Sequence, residues 1–121
     1  MTSALIVDDE RDVRTLMRVL IERSDRGVQI TGEAANGDDA LHVWRETSPD
    51  VIVLDQQMPG MTGLELAEII LGERPEQAIV LFTANASDAV TSSAAASGVR
   101  AVIGKQHWTL LVDAVGDCAP R

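Results

Sequence analysis

The sequence contains few of the features that mark secreted, membrane-spanning or nucleic-acid-binding proteins. Its single cysteine, Cys118, cannot form a disulfide within the chain, which favours a reducing compartment. No segment reaches the roughly 18 consecutive apolar residues of a membrane span, and no signal-peptide pattern is visible. Basic residues number 10 against 19 acidic ones, a net charge of -9, so the chain would repel nucleic acids and anionic membranes. We therefore expect a cytoplasmic protein that binds neither.

What the sequence does contain is a regular alternation of short apolar runs with helical patterns. The 121 residues, 45% of them hydrophobic, suit one domain spanning residues 1–121, with no linker, repeat or low-complexity tract. The runs predicted as strands are residues 4–7, 28–33, 51–54, 79–82 and 101–103. The segments with helical character lie at residues 13–21, 36–44, 66–70, 87–97 and 108–115. The chain thus comprises five strand–helix units.

Five such units predict an α/β fold with a parallel sheet and helices on both faces. Of the two common doubly wound arrangements, five strands fit the flavodoxin-like order 2-1-3-4-5 with five helices. In sheets of this kind, ligands bind beyond the carboxyl ends of the central strands. The residues that follow strands one, three, four and five are therefore the first candidates for function.

Charged and hydroxyl side chains stand at each of these four strand ends. Asp8 and Asp9 follow the first strand, Asp55 the third, Thr83 ends the fourth, and Lys105 follows the fifth. Converging carboxylates repel one another, and a hard cation such as Mg²⁺ relieves that conflict through oxygen ligands. Metal, ammonium and hydroxyl could then hold a phosphoryl group, and an aspartate can act as the nucleophile toward phosphorus. The pattern predicts a magnesium-dependent phosphoryl site.

Four segments that carry these residues resemble the motifs of response regulator receiver domains. They are residues 5–10 (LIVDDE), 53–63 (VLDQQMPGMTG), 82–84 (FTA) and 103–105 (IGK). The resemblance extends over nearly the whole chain, with the motifs in order and on the expected elements. It implies a phosphorylation-dependent signalling switch in a two-component system.

The resemblance also implies a role for each site residue. Asp8 and Asp9 help to bind Mg²⁺, Asp55 is both metal ligand and phosphoacceptor, and the backbone carbonyl of Gln57 is a further metal ligand. In the same scheme, Thr83 is the switch hydroxyl and Lys105 contacts the phosphoryl group. The phosphodonor is a phosphohistidine on a sensor histidine kinase or a phosphotransfer protein.

The chain departs from the family pattern at two positions near Lys105. Gln106 replaces the usual proline, and because a non-proline cis bond costs about 2.5–4 kcal/mol, we expect a trans Lys105–Gln106 bond. Val102 replaces the usual aromatic residue, so a ring flip cannot carry the signal as it does elsewhere in the family. Both departures concern transmission of the signal rather than phosphoryl chemistry.

Several functional alternatives remain open. The domain could signal on its own to a downstream protein, or as a phosphorylation-dependent homodimer. It could also be the N-terminal receiver of a DNA-binding regulator whose C-terminal output domain is missing, since residues 32–41 resemble such regulators. A phosphatase of the haloacid dehalogenase type is disfavoured because Gln57 stands where that chemistry needs a second aspartate. We therefore expect a switch rather than an enzyme, and the acidic residues 8–10 exclude a flavin-phosphate site.

Overall fold

The computed structural model describes residues 1–120 as five strands alternating with five helices. The strands are β1 (Thr2–Val7), β2 (Val28–Ala34), β3 (Val51–Leu54), β4 (Ala78–Thr83) and β5 (Ala101–Gly104). The helices are α1 (Arg11–Glu22), α2 (Gly37–Thr47), α3 (Gly63–Glu73), α4 (Asp88–Ser97) and α5 (Trp108–Gly116). Within residues 1–120, no helix combines the length and the apolar character needed to cross a bilayer.

The strands form one parallel sheet in the order β2-β1-β3-β4-β5, which confirms the predicted flavodoxin-like topology. The register along β1 and β2 shifts by one residue, because Ala4 pairs with Ile30 whereas Leu5 pairs with Gly32. The carboxyl ends of β1, β3, β4 and β5 all lie at one edge of the sheet. This is the edge at which the sequence places its candidate residues.

Two apolar layers cover the faces of the sheet. Alternate strand residues such as Leu54 and Leu81 pack with residues of α2, α3 and α4, whereas Val53 and Phe82 pack with α1 and α5. The central strand β3 is fully buried, as expected for a parallel strand covered on both faces. The sheet is therefore a rigid base for the loops that follow its strands.

Several element ends differ from those expected from apolar runs. Strand β1 begins at Thr2 rather than at residue 4, because the Thr2 N–H donates to the Gly27 carbonyl at 2.9 Å and extends the pairing. Helix α1 ends at Glu22, one residue beyond the predicted segment 13–21. Gly27 lies in the turn before β2 and adopts a left-handed conformation (φ 70°). Helix α2 continues to Thr47, where Ser48 adopts a left-handed conformation. Chain turns, rather than hydrophobic periodicity, set these boundaries.

Candidate functional site

The backbone of each candidate residue is fixed by hydrogen bonds that continue the sheet beyond its strands. The Asp8 N–H donates to the Ala34 carbonyl at 3.1 Å, and the Asp55 N–H donates to the Val7 carbonyl at 2.9 Å. On the other side of the site, the Lys105 N–H donates to the Thr83 carbonyl at 2.9 Å. The side chains therefore project from well-defined positions at one edge of the sheet.

Lys105 joins two buried carboxylates at the centre of this edge. Its Nζ lies 2.9 Å from Asp8 Oδ2 and 3.2 Å from Asp55 Oδ2. Asp8 is fully buried and Asp55 is only 5% exposed. Lys105 is also the only lysine in the sequence. The structure thus brings together an ammonium and two carboxylates from β1, β3 and β5.

Asp9 completes an acidic cluster, which we define as Asp8, Asp9 and Asp55. Each of the three residues offers a carboxylate oxygen, and these oxygens lie within 4.8 Å of one another. Asp9 is exposed, so the cluster opens to solvent on its side. An all-oxygen donor set that is partly buried and partly open to water matches the coordination preference of a small divalent cation. The donor chemistry of the cluster therefore fits a metal ion.

The electrostatics of the cluster follow from burial and from the short distances between charges. Burial raises the pKa of Asp55, the nearby Asp8 carboxylate raises it further, and Lys105 only partly opposes this. For Lys105, burial alone would lower the pKa, but the hydrogen bonds and charges of Asp8 and Asp55 outweigh it, so the pKa is raised. Lys105 is therefore firmly cationic at neutral pH. Its charge does not fully offset the effects of burial and of Asp8 on the ionised form of Asp55.

Thr83 and Gln57 occupy positions beside the cluster rather than within it. Thr83 is fully buried, and its Oγ1 accepts a hydrogen bond from the Asn85 N–H at 3.2 Å. This contact occupies a lone pair and leaves the hydroxyl proton free to be donated. The Gln57 N–H donates to Asp55 Oδ1 at 3.3 Å, and the Gln57 side chain is exposed. The first contact orients the Thr83 hydroxyl oxygen, and the second holds one oxygen of the Asp55 carboxylate.

The turn after β5 accommodates Gln106 without a cis bond. Residues 1–120 contain no cis peptide bond, which confirms the expected trans Lys105–Gln106 bond. A tight turn forms instead, closed by the His107 N–H donating to the Gly104 carbonyl at 2.9 Å. Val102 is half-buried and packs against the apolar layer that includes α4. The position of Lys105 is thus set without the usual proline.

The loop after Asp55 is fastened to the start of α3 by a residue that the sequence pattern did not single out. The Gln56 side chain accepts a hydrogen bond from the Leu64 N–H at 2.8 Å, and the Gln56 carbonyl accepts one from the Gly63 N–H at 3.0 Å. A Cβ on Gly63 would collide with the Asp55 carbonyl oxygen. The two residues that follow β3 and the start of α3 are therefore in direct contact.

Arg14 is a second residue that sequence reasoning missed. It lies in the first turn of α1, and its Nη1 donates to the Asp8 carbonyl at 2.7 Å. Its partner is a backbone carbonyl, so no pattern of side chains in the sequence marks the contact.

Comparison with known proteins agrees with the geometry. The family model described as the response regulator receiver domain matches residues 4–115. The chemotaxis protein CheY of Thermotoga maritima is 31% identical over 101 residues, which cover 84% of this chain and 82% of CheY. A crystal structure of a LuxR-family two-component response regulator from an Aurantimonas species is 31% identical, with a TM-score of 0.91. That match covers 97% of this chain and 84% of the other.

A longer relative matches over its receiver-like part only. A protein-glutamate methylesterase/protein-glutamine glutaminase of Halobacterium salinarum is 34% identical over 117 residues, which make up 96% of this chain. The chain spans only about a third of that relative's length, 33%.

Proposed function

Because this chain belongs to the response regulator receiver domain family, we propose that it is a phosphorylation switch with Asp55 as its phosphoacceptor. The observation that carries the assignment is the Lys105 ammonium, which bridges Asp8 and Asp55 at the carboxyl edge of the sheet. Both carboxylates are almost completely buried, and burying two negative charges beside a single ammonium costs free energy. A bound cation would offset that cost. Such a site suits a phosphoryl group and a cation that arrive together.

In the proposed reaction, a carboxylate oxygen of Asp55 attacks the phosphorus of a phosphohistidine on a sensor histidine kinase or a phosphotransfer protein. The new O–P bond forms as the P–N bond breaks, and the imidazole nitrogen retains the bonding electron pair. Hydrolysis of the aspartyl phosphate later returns orthophosphate and the free carboxylate. The switch thus takes one phosphoryl group from its donor and releases it as orthophosphate.

Asp8, Asp9, Asp55 and the Gln57 carbonyl would hold Mg²⁺, whose charge offsets the negative charge on the transferring phosphoryl oxygens. Lys105 would contact one phosphoryl oxygen, since its ammonium already reaches Asp55 Oδ2. Thr83 would donate its hydroxyl proton to another, because its oxygen is oriented by the Asn85 N–H. Each of these groups is preorganised on the rigid edge of the sheet.

We further propose that residues 1–121 form the receiver unit and that its output lies in another protein, in a second copy or in an attached C-terminal domain. The partial coverage of the longer methylesterase relative supports an attached domain as a second candidate arrangement. A DNA-binding output is the variant suggested by the similar structure of a DNA-binding response regulator of the LuxR family from Staphylococcus aureus. In every arrangement the phosphoryl chemistry belongs to this chain.

Mass spectrometry after incubation with Mg²⁺ and acetyl phosphate tests the assignment. Wild-type protein should gain one acid-stable, base-labile phosphoryl group, and Asp55→Asn should gain none. Asp38→Asn is the matched control, because Asp38 is an exposed aspartate in the first turn of α2. Equal labelling of the Asp55 variant would show that another residue is the acceptor.

A further inference from the structure

We infer that Arg14 is a positioning residue that sets the orientation of the Asp8–Asp9 peptide and thereby the ability of the acidic cluster to bind a divalent cation. The inference rests on the proposed function and deepens it. Strand β2 ends at Ala34, whose carbonyl receives the Asp8 N–H. Within residues 1–120, no backbone N–H donates to the Asp8 carbonyl. The Arg14 side chain supplies the donor, with Nη1 at 2.7 Å.

The orientation of this one peptide group affects both aspartate side chains that follow β1. Its carbonyl belongs to Asp8, and its N–H belongs to Asp9. The Asp8 carboxylate is also tied down, because its Oδ1 accepts the Glu10 N–H at 2.9 Å and its Oδ2 contacts Lys105. Asp9 is exposed and adjoins this peptide, so a rotated peptide would turn its carboxylate away from Asp55. Arg14 therefore acts on the cluster without touching a carboxylate in it.

Arg14 is itself held by an ion pair that crosses from α1 to β2. Its Nε lies 3.2 Å from Glu33 Oε1, and its side chain is only 16% exposed. Arg18, one turn further along α1, contacts the other carboxylate oxygen of Glu33 at 2.5 Å. A planar guanidinium can donate to the Asp8 carbonyl and to Glu33 at the same time, whereas a lysine ammonium cannot match this fork geometry. The chemistry of the contact thus requires arginine.

The experiment compares Arg14→Lys with Arg18→Lys, because both variants keep the charge and both weaken an ion pair with Glu33. Only Arg14 contacts the Asp8 carbonyl, so a change specific to Arg14→Lys reports peptide orientation rather than charge. We expect calorimetry with Mg²⁺ to show an affinity about tenfold lower for Arg14→Lys, as for the loss of other groups that orient metal ligands. Arg18→Lys should retain the wild-type affinity.

A second measurement uses the metal-free protein. Amide hydrogen exchange at Asp9 and Glu10 should accelerate in Arg14→Lys and stay unchanged in Arg18→Lys. If Arg14→Lys does not fold, Arg14→Gln gives the same readouts, with Arg18→Gln as its control, because both variants lose a charge and an ion pair with Glu33 but only Arg14 contacts the Asp8 carbonyl. We expect changes in the same direction for Arg14→Gln alone.

The outcomes separate the two proposals. Failure of wild-type protein to bind Mg²⁺ would overturn the magnesium site and with it the effect of Arg14 on affinity. Wild-type affinity together with unchanged Asp9 and Glu10 exchange in Arg14→Lys would overturn the Arg14 inference alone. Equal losses of Mg²⁺ affinity in the Arg14 and Arg18 variants would also overturn the Arg14 inference, because the effect would then come from the ion pairs with Glu33.

Discussion

At the scale of single residues, the positive charge of Lys105 offsets part of the repulsion between two buried carboxylates. Replacing it by methionine removes the ammonium within 3.2 Å of both Asp8 and Asp55. Since the positive charge opposes the effects of burial and of Asp8, the pKa of Asp55 should rise further in Lys105→Met. Phosphorylation by acetyl phosphate at neutral pH should slow by about a hundredfold, the typical cost of losing one charge-stabilising donor.

Carboxyl NMR titration of Asp55 and mass-spectrometric rate measurements would check both expectations. Arg100→Met is the control. Arg100 precedes β5, so this variant also removes one positive charge, but near the opposite end of the strand that Lys105 follows. Similar effects in both variants would mean that Lys105 acts through the overall charge of the domain instead of through contact.

The candidate site residues could be predicted from sequence because their side chains carry the chemistry and strand ends place them together. Asp8, Asp9, Asp55 and Lys105 were found in this way, and the structure brings them together. Arg14 was missed because its partner is a backbone carbonyl, which every residue possesses and which no sequence pattern reveals. The metal ligands and the roles of Thr83 and Gln57 remain predictions.

At the scale of elements, the contact between β3 and α3 depends on the absence of a side chain. Gly63→Ala should push the α3 start away from the Asp55 carbonyl and lower both stability and the phosphorylation rate, because the obstacle is backbone. Gly72→Ala in the same helix should instead stabilise the protein by up to about 1 kcal/mol, since nothing lies near its Cβ. Urea unfolding of both variants distinguishes these outcomes, and a stabilised Gly63→Ala would contradict the contact.

Helix α4 is the element most easily displaced by events at the site. Only Ala94 is buried along its length, and Val90 is half-buried. Ser87 caps its start through the Val90 N–H at 3.2 Å, and Gly98 ends it in a left-handed conformation. The small buried area offers little stabilisation at roughly 25 cal/mol per Å² of apolar surface. The segment from Thr83 to α4 is therefore the expected route of the signal.

Hydrogen exchange with and without beryllofluoride, a phosphoryl mimic, tests this route. The change in protection should concentrate in residues 84–98 and should disappear in Thr83→Ala, because the proposed donor to the phosphoryl group is the buried Thr83 hydroxyl. Thr91→Ala, at an exposed site on α4, should keep the change. A response confined to α1 and α2 would locate the output on another face.

Sequence reasoning placed every element but not every boundary. Apolar runs identified residues 51–54 correctly because that strand is buried on both faces. The start of β1 and the end of α2 were set by backbone contacts at Thr2 and by the left-handed Ser48, neither of which follows from hydrophobicity. The predicted helical segments 36–44 and 87–97 begin at Asn36 and Ser87, and the structure shows both side chains capping their helices through local hydrogen bonds.

At the scale of the whole molecule, the pKa of Asp55 couples the site to global stability. The folded state binds this proton more tightly than the unfolded chain, since burial and Asp8 raise the pKa. The free energy of unfolding therefore falls as pH rises from the ordinary aspartate pKa of about 3.9 toward the raised value, and it stays low above that. The metal-free domain is therefore less stable above the raised pKa of Asp55 than it is below the ordinary aspartate pKa.

Thermal melts of Asp55→Asn without metal would reveal this cost. Its melting temperature should exceed that of wild type at neutral pH by a few degrees, at roughly 4 °C per kcal/mol for a domain of this size. The difference should shrink below the ordinary aspartate pKa. Asp38→Asn should match wild type throughout, and a lower melting temperature for Asp55→Asn at neutral pH would reverse the assigned sign.

Having one lysine gives the domain an internal reporter. Lysine labelled with ¹⁵N at Nζ would report one side-chain ammonium, that of Lys105, whose side chain is 20% exposed. The labelled nitrogen lies 2.9 Å from Asp8 Oδ2 and 3.2 Å from Asp55 Oδ2. Its resonance would follow cation binding, phosphorylation of the carboxylate and its decay in real time, in a spectrum with no other lysine signal to resolve.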